Sequence, residues 1–243
     1  MSDGGRPAGV RMRLYALRHG EPESTTMFYG HRDVRLSERG QRQARAQAQL
    51  LAGTRLDAVW SSDLFRARFG AQAIADVHAM EVGEDPRLRE MHLGALEGVP
   101  YAEARQRFPA LAGKRYEDML DHRFEPGGES VRDVAERLDP AVDERLREVA
   151  ARARDGRATV VVYAHNTVTR LLLARAAGLG PAGYVRFAQR YGAVNRIDLV
   201  VDAGGDGGAV RWDLATIAWA NRDAEGATDA AGRSSLAPGP DRG

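Results

Sequence analysis

Cysteine is absent from the 243 residues, which excludes disulfides, thiolate metal ligands and a thiol nucleophile. Lysine is nearly absent: Lys114 is the only one, and arginine carries the rest of the positive charge. No apolar run approaches the ~18 residues that a membrane span requires. The N-terminal "MSDGGRPAGVRMR" has no hydrophobic stretch of the secretory kind. Charge of one sign is also missing. The 35 basic and 34 acidic residues leave a formal net charge of +1, so neither nucleic acid nor an anionic membrane is an expected partner. His-x-His and His-Glu-x-x-His spacings do not occur, so no dedicated metal site is expected, and no cofactor. The expected compartment is the cytoplasm.

What is present is an alternation of two periodicities. Strand-like segments fall at 13–17, 56–61, 158–164, 194–201 and 209–217, and helix-like segments at 37–52, 63–80, 101–108, 130–154 and 166–178. Ala67, Ala71, Ile74 and Ala75 share one face of the second helix. Val131, Val134, Leu138, Val142, Leu146 and Val149 share one face of the fourth, with a kink expected at Pro140. "TVVVYA" is apolar on both faces, as a central strand covered on either side must be. The expectation is a three-layer α/β/α sandwich with a mostly parallel central sheet. Residues 1–11 read as a flexible lead, 12–221 as the folded domain, 99–125 as a lid or insert, and 222–243 as a disordered tail.

In such a sheet, ligands bind at the carboxyl ends of the strands. Two strand-like segments end alike: "LYAL" runs into Arg18-His19-Gly20, and "TVVVYA" runs into His165-Asn166-Thr167, where Asn166 or Thr167 can cap the following helix. A third, "WSSDLFRA", ends at Ser61, with Ser62 or Asp63 as the expected cap and Arg66 in the first helical turn. The segment "RLREMHLGALEG" supplies Glu90 and Glu97. Arginine forks match phosphate oxygens, a neutral imidazole can take a phosphoryl group covalently, and a carboxylic acid can protonate the leaving oxygen. Phosphoryl transfer asks mainly for positioning and charge stabilisation, which a cationic pocket can give without metal.

Six stretches in order, "LRHGE" (17–21), "DVRLSERGQRQA" (33–44), "SSDLFRA" (61–67), "LREMHLGALEG" (88–98), "PGGES" (126–130) and "VVYAHNTVTRLLL" (161–173), resemble the histidine phosphatase superfamily, the phosphoglycerate-mutase-like fold, over about residues 12–200. The resemblance implies that His19 is the phosphorylated nucleophile, that Arg18 and Arg66 bind the phosphoryl oxygens, that His165 donates a hydrogen bond to the transferring group, and that Glu90 protonates the leaving oxygen and then activates water. His31 and Asn166 are further candidate substrate contacts. Asn166 stands where the family usually has glycine, Leu96 where it usually has an aromatic, and "PESTTMFYGHR" departs from the commonest form of its segment.

The implied activity is a metal-independent phosphomonoesterase acting on a small phosphorylated metabolite. A phosphoglycerate-type mutase and a non-catalytic phospholigand-binding protein are the alternatives. The interval from Gly94 to Gly127 is short for a mutase, and every reacting group is retained, which argues against the non-catalytic reading. "LREMHLG" is similar to the α-ribazole phosphate phosphatases as well as to sugar-phosphate phosphatases. Arg105, Arg107, Lys114, Arg115 and Arg123 in the 99–125 region fit either an acidic substrate or a solvated charged surface. Many members of this family are dimers, so a homodimer is a possible state. Glu21 and Glu97 are read as hydrogen-bonding supports, His78 and His92 as packing residues, and Ser130 as a helix cap. A neutral nucleophile and a protonated acid in one complex require a bell-shaped dependence of rate on pH; a rate flat from acid to alkaline pH would contradict the pairing of His19 with Glu90.

Overall fold

The computed structural model describes residues 9–109, 116–202 and 208–225. Eleven main elements occur in the order β1 (Gly9–Arg18), α1 (Glu38–Leu51), β2 (Ala58–Ser61), α2 (Phe65–His78), β3 (Val82–Glu84), α3 (Tyr101–Arg107), α4 (Val131–Ala150), β4 (Arg157–Ala164), α5 (Asn166–Ala176), β5 (Ala193–Asp202) and β6 (Val210–Asp223). The six strands form one sheet ordered β3-β2-β4-β1-β5-β6. The β3–β2, β2–β4 and β4–β1 pairs are parallel, and β5 and β6 add two antiparallel strands at one side.

The period-two alternation of β1 and β4 builds two cores, one on each face. Met12, Leu14 and Ala16, with Val160, Val162 and Ala164, pack against α4 and α5. Tyr15 and Leu17, with Val161 and Tyr163, pack against α1 and α2. This is the expected three-layer arrangement, with "TVVVYA" lying between β2 and β1 as a central strand. A third, smaller cluster of Leu96, Val99, Ala104 and Phe124 sits under α3.

Differences from the sequence expectations are local. β1 starts at Gly9, inside the expected lead, because Gly9 to Arg11 pair with Val200 to Asp202 and Arg11 also faces Arg157. β6 runs to Asp223, past the expected start of the tail, because Arg222 and Asp223 pair with Val194 and Ala193. Residues 1–8 and 226–243 lie outside the described residues. β3 escaped notice: three residues, largely exposed, carry no period. Pro140 stands inside α4, which continues through it with the proline on the exposed side. Ser37 and Ser130 cap α1 and α4, the latter through a reciprocal capping box with Asp133.

α2 lies tight against the sheet at Gly70, where a Cβ would stand 2.0 Å from the Tyr163 hydroxyl. That hydroxyl donates to Gln47, itself fully buried, whose amide donates to the carbonyls of Arg18 (3.1 Å) and Ala193 (3.3 Å). Tyr163 therefore cannot move aside without breaking a network tied to the end of β1. Gly70→Ala is expected to lower stability by about 1–3 kcal/mol through overpacking. Urea denaturation of wild type and variant measures it, and equal midpoints would show that the α2–β4 contact has slack.

Candidate active site

Parallel pairing brings the ends of β1 and β4 to one rim. Arg18 is level with Ala164, and the next residue continues the ladder, His19 N–H donating to the Ala164 carbonyl at 3.0 Å. His19 and His165 thus emerge side by side, their rings 5.2 Å apart and edge to face. Both are buried. His19 Nδ1 lies 2.7 Å from the Gly20 carbonyl, which can only accept, so the proton sits on Nδ1 and the Nε2 lone pair is left for chemistry. Burial, then Arg66 and Arg18, hold the His19 pKa well below 6.5; the Gly20 bond opposes them. His165 is lowered in the same direction by burial first, then by Arg66, His19 and Arg18. Neither ring nitrogen of His165 has a hydrogen-bond partner among the described residues. A buried donor left so costs about 1–3 kcal/mol, which a ligand oxygen recovers.

Two guanidinium groups join them. Arg66, 2% exposed in the first turn of α2, donates to the carbonyls of Arg32 (2.9 Å) and Gly30 (2.7 Å). Arg18 donates to the Gln189 carbonyl (2.5 Å) and lies 4.0 Å over the ring of Tyr191. Burial lowers the pKa of each arginine, with Tyr191 and Glu90 opposing it for Arg18 and Glu90 and Asp33 for Arg66. Both remain cations, and neither forms an ion pair among the described residues. Buried positive charge held by carbonyls and an aromatic ring rather than by carboxylates is matched to an incoming anion.

Glu90 arrives from the loop after a 3-10 turn at Pro86–Leu88. Its carboxylate accepts from Met91 N (2.8 Å) and, through both oxygens at 3.3 Å, from Thr167 N in the first turn of α5. Its carbonyl is gripped by His31 Nε2 (2.7 Å) and Arg137 (2.9 Å), and Arg137 is in turn paired with Glu129 at 2.7 Å. Glu90 thus stands within the electrostatic reach of Arg18 and Arg66.

Two expected caps are corrected. α5 has His165 at its N-cap position with no side-chain cap, and neither Asn166 nor Thr167 serves. The imidazole occupies the place a capping side chain would take, and the carboxylate of Glu90 satisfies Thr167 N from another loop. α2 begins at Phe65, with Leu64 as N-cap rather than Ser62 or Asp63. Asp33 accepts from Phe65 N at 2.8 Å, while Asp63 is committed to Arg89.

The glycine of "RHGE" has a steric reason. A Cβ on Gly20 would stand 2.1 Å from the Gly40 carbonyl oxygen, and one on Gly40 would stand 2.0 Å from the Glu21 carbonyl oxygen. The start of α1 is pressed onto the backbone that carries His19, and only hydrogen fits at either position. Glu21 accepts from Ser37 Oγ (3.0 Å) and Glu97 from His31 N (2.6 Å), the supporting roles expected of them. His31 is directed at the Glu90 carbonyl and Glu129, so it braces the Glu90 loop instead of standing beside the two central imidazoles. His92 packs on His31 and bonds the Gly127 carbonyl. Asn166 starts α5, its carbonyl accepting from Thr169 Oγ1. Lys114 and Arg115 lie outside the described residues; Arg123 pairs with Asp133 and Arg107 with Glu103, so those two lid cations are already compensated.

Sequence reasoning missed Gln189, Tyr191, Arg137 and Glu129. Only "RYGAV" just before β5 hinted at Tyr191, since an antiparallel strand beside β1 must begin at the same rim. The "PESTTMFYGHR" segment and the start of the 99–125 region are stitched together: Phe28 N donates to the Val99 carbonyl (3.0 Å), Tyr101 N to that of Thr26 (2.8 Å), and the Phe28 and Tyr101 rings meet edge to face at 4.5 Å. Among the described residues no group of three or more potential ligands is arranged to hold a metal ion, and no helix is long and apolar enough to cross a membrane.

Comparison with known proteins identifies the family. The family model of the histidine phosphatase superfamily (branch 1) matches residues 14–209. A glucosyl-3-phosphoglycerate phosphatase of Mycolicibacterium vanbaalenii is 35% identical over 217 residues, 83% of this chain and 92% of the relative. A probable phosphoglycerate mutase of Serratia proteamaculans is 30% identical over 189 residues, 77% of this chain and 85% of the relative. Among solved structures, a mycobacterial glucosyl-3-phosphoglycerate phosphatase superposes with a TM-score of 0.74 at 28% identity, covering 87% of this chain and 99% of the other.

The buried imidazoles carry a stability signature. Their folded pKa values lie below the unfolded value of 6.5, so the unfolded chain takes up protons that the folded chain refuses. Stability is full above about pH 6.5 and is lost as pH falls below it, by about 1.4 kcal/mol per pH unit for each such histidine. Denaturation midpoints between pH 7.5 and 5 measure the slope, and His19→Asn is expected to flatten it. An unchanged slope would mean that His19 is protonated in the folded state.

Proposed function

The chain belongs to the histidine phosphatase superfamily (branch 1) and is an enzyme of that family; from this membership and the grouping at the rim we propose that it is a phosphomonoesterase working without metal through a phosphohistidine. The observation that carries the proposal is the Nδ1–H of His19 anchored on the Gly20 carbonyl, with Nε2 left unprotonated beside two buried guanidinium groups. The phosphoryl group of a monoester binds between Arg18 and Arg66, which hold its non-bridging oxygens, while a ring N–H of His165 donates to the same group. Nε2 of His19 forms the bond to phosphorus as the P–O ester bond breaks. The leaving oxygen takes its proton from Glu90. In the second half Glu90 removes a proton from water, the water oxygen bonds to phosphorus, the P–N bond breaks, and orthophosphate leaves with the free imidazole restored.

The tie between Glu90 and Thr167 N supports this assignment, because it holds the acid at the start of the helix that follows His165. Arg137 and His31 fix the backbone beneath it and are positioning residues. The small phosphorylated metabolites named for the relatives make an anionic sugar phosphate the first substrate class to assay. The 30% identical relative is a probable mutase; hydrolysis is favoured here by the short interval between Gly94 and Gly127.

Turnover of p-nitrophenyl phosphate in EDTA tests the reading. His19→Ala is expected to abolish it with the fold intact. Glu90→Gln is expected to reduce alkyl phosphate hydrolysis by about 10²–10⁴-fold, and p-nitrophenyl phosphate hydrolysis by much less, since nitrophenolate leaves without a proton. Loss of activity on chelation would reject the metal-free mechanism. Isomerisation of 3-phosphoglycerate without orthophosphate release would establish the mutase instead.

A further inference from the structure

Arg18 is gripped from the segment just before β5. Its Nη1 donates to the Gln189 carbonyl at 2.5 Å, and its guanidinium carbon lies 4.0 Å from the centre of the Tyr191 ring. Nε, on the side edge that it shares with Nη2, is buried and has no hydrogen-bond partner among the described residues. A guanidinium anchored through Nη1 keeps that side edge for an incoming pair of oxygens. The position of one main-chain carbonyl therefore sets how Arg18 is presented.

Gln189 lies in an irregular stretch, where a carbonyl is ordinarily free to shift. Here side chains hold it. Gln189 and Asn195 are buried, and their amides bond reciprocally: Gln189 Nε2 donates to Asn195 Oδ1 at 3.0 Å and Asn195 Nδ2 to Gln189 Oε1 at 2.8 Å. Asn195 Nδ2 also donates to the Ala16 carbonyl (2.7 Å) in β1, and its Oδ1 also accepts from Asn221 N (2.7 Å). Both donors and both acceptor positions of this buried amide are filled. Asn221 closes the network, its own Oδ1 accepting from Arg190 N at 2.7 Å. The edge strand is shaped to deliver it. Val194 pairs with Arg222 and Arg196 with Trp219, so Ala220 and Asn221 together oppose Asn195. In this two-against-one bulge Asn221 takes a left-handed backbone, φ 53°, which asparagine tolerates. Bulges of this kind re-aim side chains beside active sites.

We propose that Gln189, Asn195 and Asn221 are positioning residues for Arg18, a clamp that turns its side edge toward the phosphoryl group; this rests on the proposed phosphomonoesterase activity. They act through the guanidinium and not on the substrate itself. Arg18 holds phosphoryl oxygens in the bound ester and in bound orthophosphate alike. Loosening the clamp therefore weakens both, so KM rises and the inhibition constant of orthophosphate rises with it. Loss of folded enzyme does something different: it lowers apparent kcat and leaves both constants where they were.

The test is p-nitrophenyl phosphate kinetics of the full chain, with orthophosphate as competitive inhibitor, arranged as a double-mutant cycle. Gln189→Leu is expected to raise KM and the orthophosphate inhibition constant together by about tenfold, the size of one weakened charge-assisted hydrogen bond. In the Arg18→Lys background an ammonium has no side edge to orient, and the same change is expected to shift both by less than about twofold. Asn221→Gly keeps the left-handed backbone and removes only the acceptor for Arg190 N. It is expected to raise both constants, and Asn221→Asp, which restores an acceptor, to recover most of the loss. This pair decides the question if Gln189→Leu does not fold. Wild-type constants in the folded variants, or an equal cost of Gln189→Leu in both backgrounds, would overturn the clamp. A wild type inactive on the ester, or Arg18→Lys with unchanged KM, would reject the proposed activity, and the clamp with it.

Discussion

The parallel pairing of β1 with β4 is the constraint from which the site follows. Because Arg18 and Ala164 are level, the residues one step beyond each strand leave the sheet side by side, and both are histidines. The His19 N–H bond to the Ala164 carbonyl fixes that step. A slip of one residue would turn each side chain to the opposite face and separate the imidazoles. Gln47 ties the carbonyl at the end of β1 to that at the start of β5 and to the Tyr163 hydroxyl, so three neighbouring strands are locked together just below the chemistry.

Around this pair the molecule accumulates positive charge in a dry place. Arg18 and Arg66 are solvated by main-chain carbonyls and an aromatic face in place of carboxylates. Such an arrangement keeps both imidazoles neutral and leaves binding energy to be released on an oxyanion. The ends of α2 and α5 contribute in the same direction, and their first N–H groups are capped by Asp33 and Glu90, carboxylates brought from distant loops. Capping from afar knits the loops at 30–33 and 87–93 to the rim. It also frees the N-cap position of α5 for an imidazole.

The layered fold and the grouping at the rim were legible because they rest on short-range rules. Strands such as "TVVVYA" declare themselves by being apolar on both faces, α2 and α4 by their spacing, and α4 also by Ser130. β3 was not legible, since three exposed residues have no pattern to read. The full reach of β6 was missed because its last residues, Arg222 and Asp223, are polar and read as tail until they pair with the start of β5. The supporting residues Arg137, Glu129, Gln189 and Tyr191 were invisible for a different reason: nothing in their local spacing distinguishes them from surface or turn residues.

The amino-acid sequence alone determined which chemistry is possible here. Without cysteine, and with histidine, arginine and glutamate placed just after apolar strands, phosphoryl transfer to imidazole was the reading the residue types allowed, and their order along the chain identified the family. Tertiary structure decided the rest: which tautomer His19 holds, that Glu90 rather than Glu21 or Glu97 meets the start of α5, and that His31 braces a loop. Those outcomes depend on distances between segments tens of residues apart. Local periodicity does not encode such distances; they appear only once the strands are paired and the loops are packed against one another.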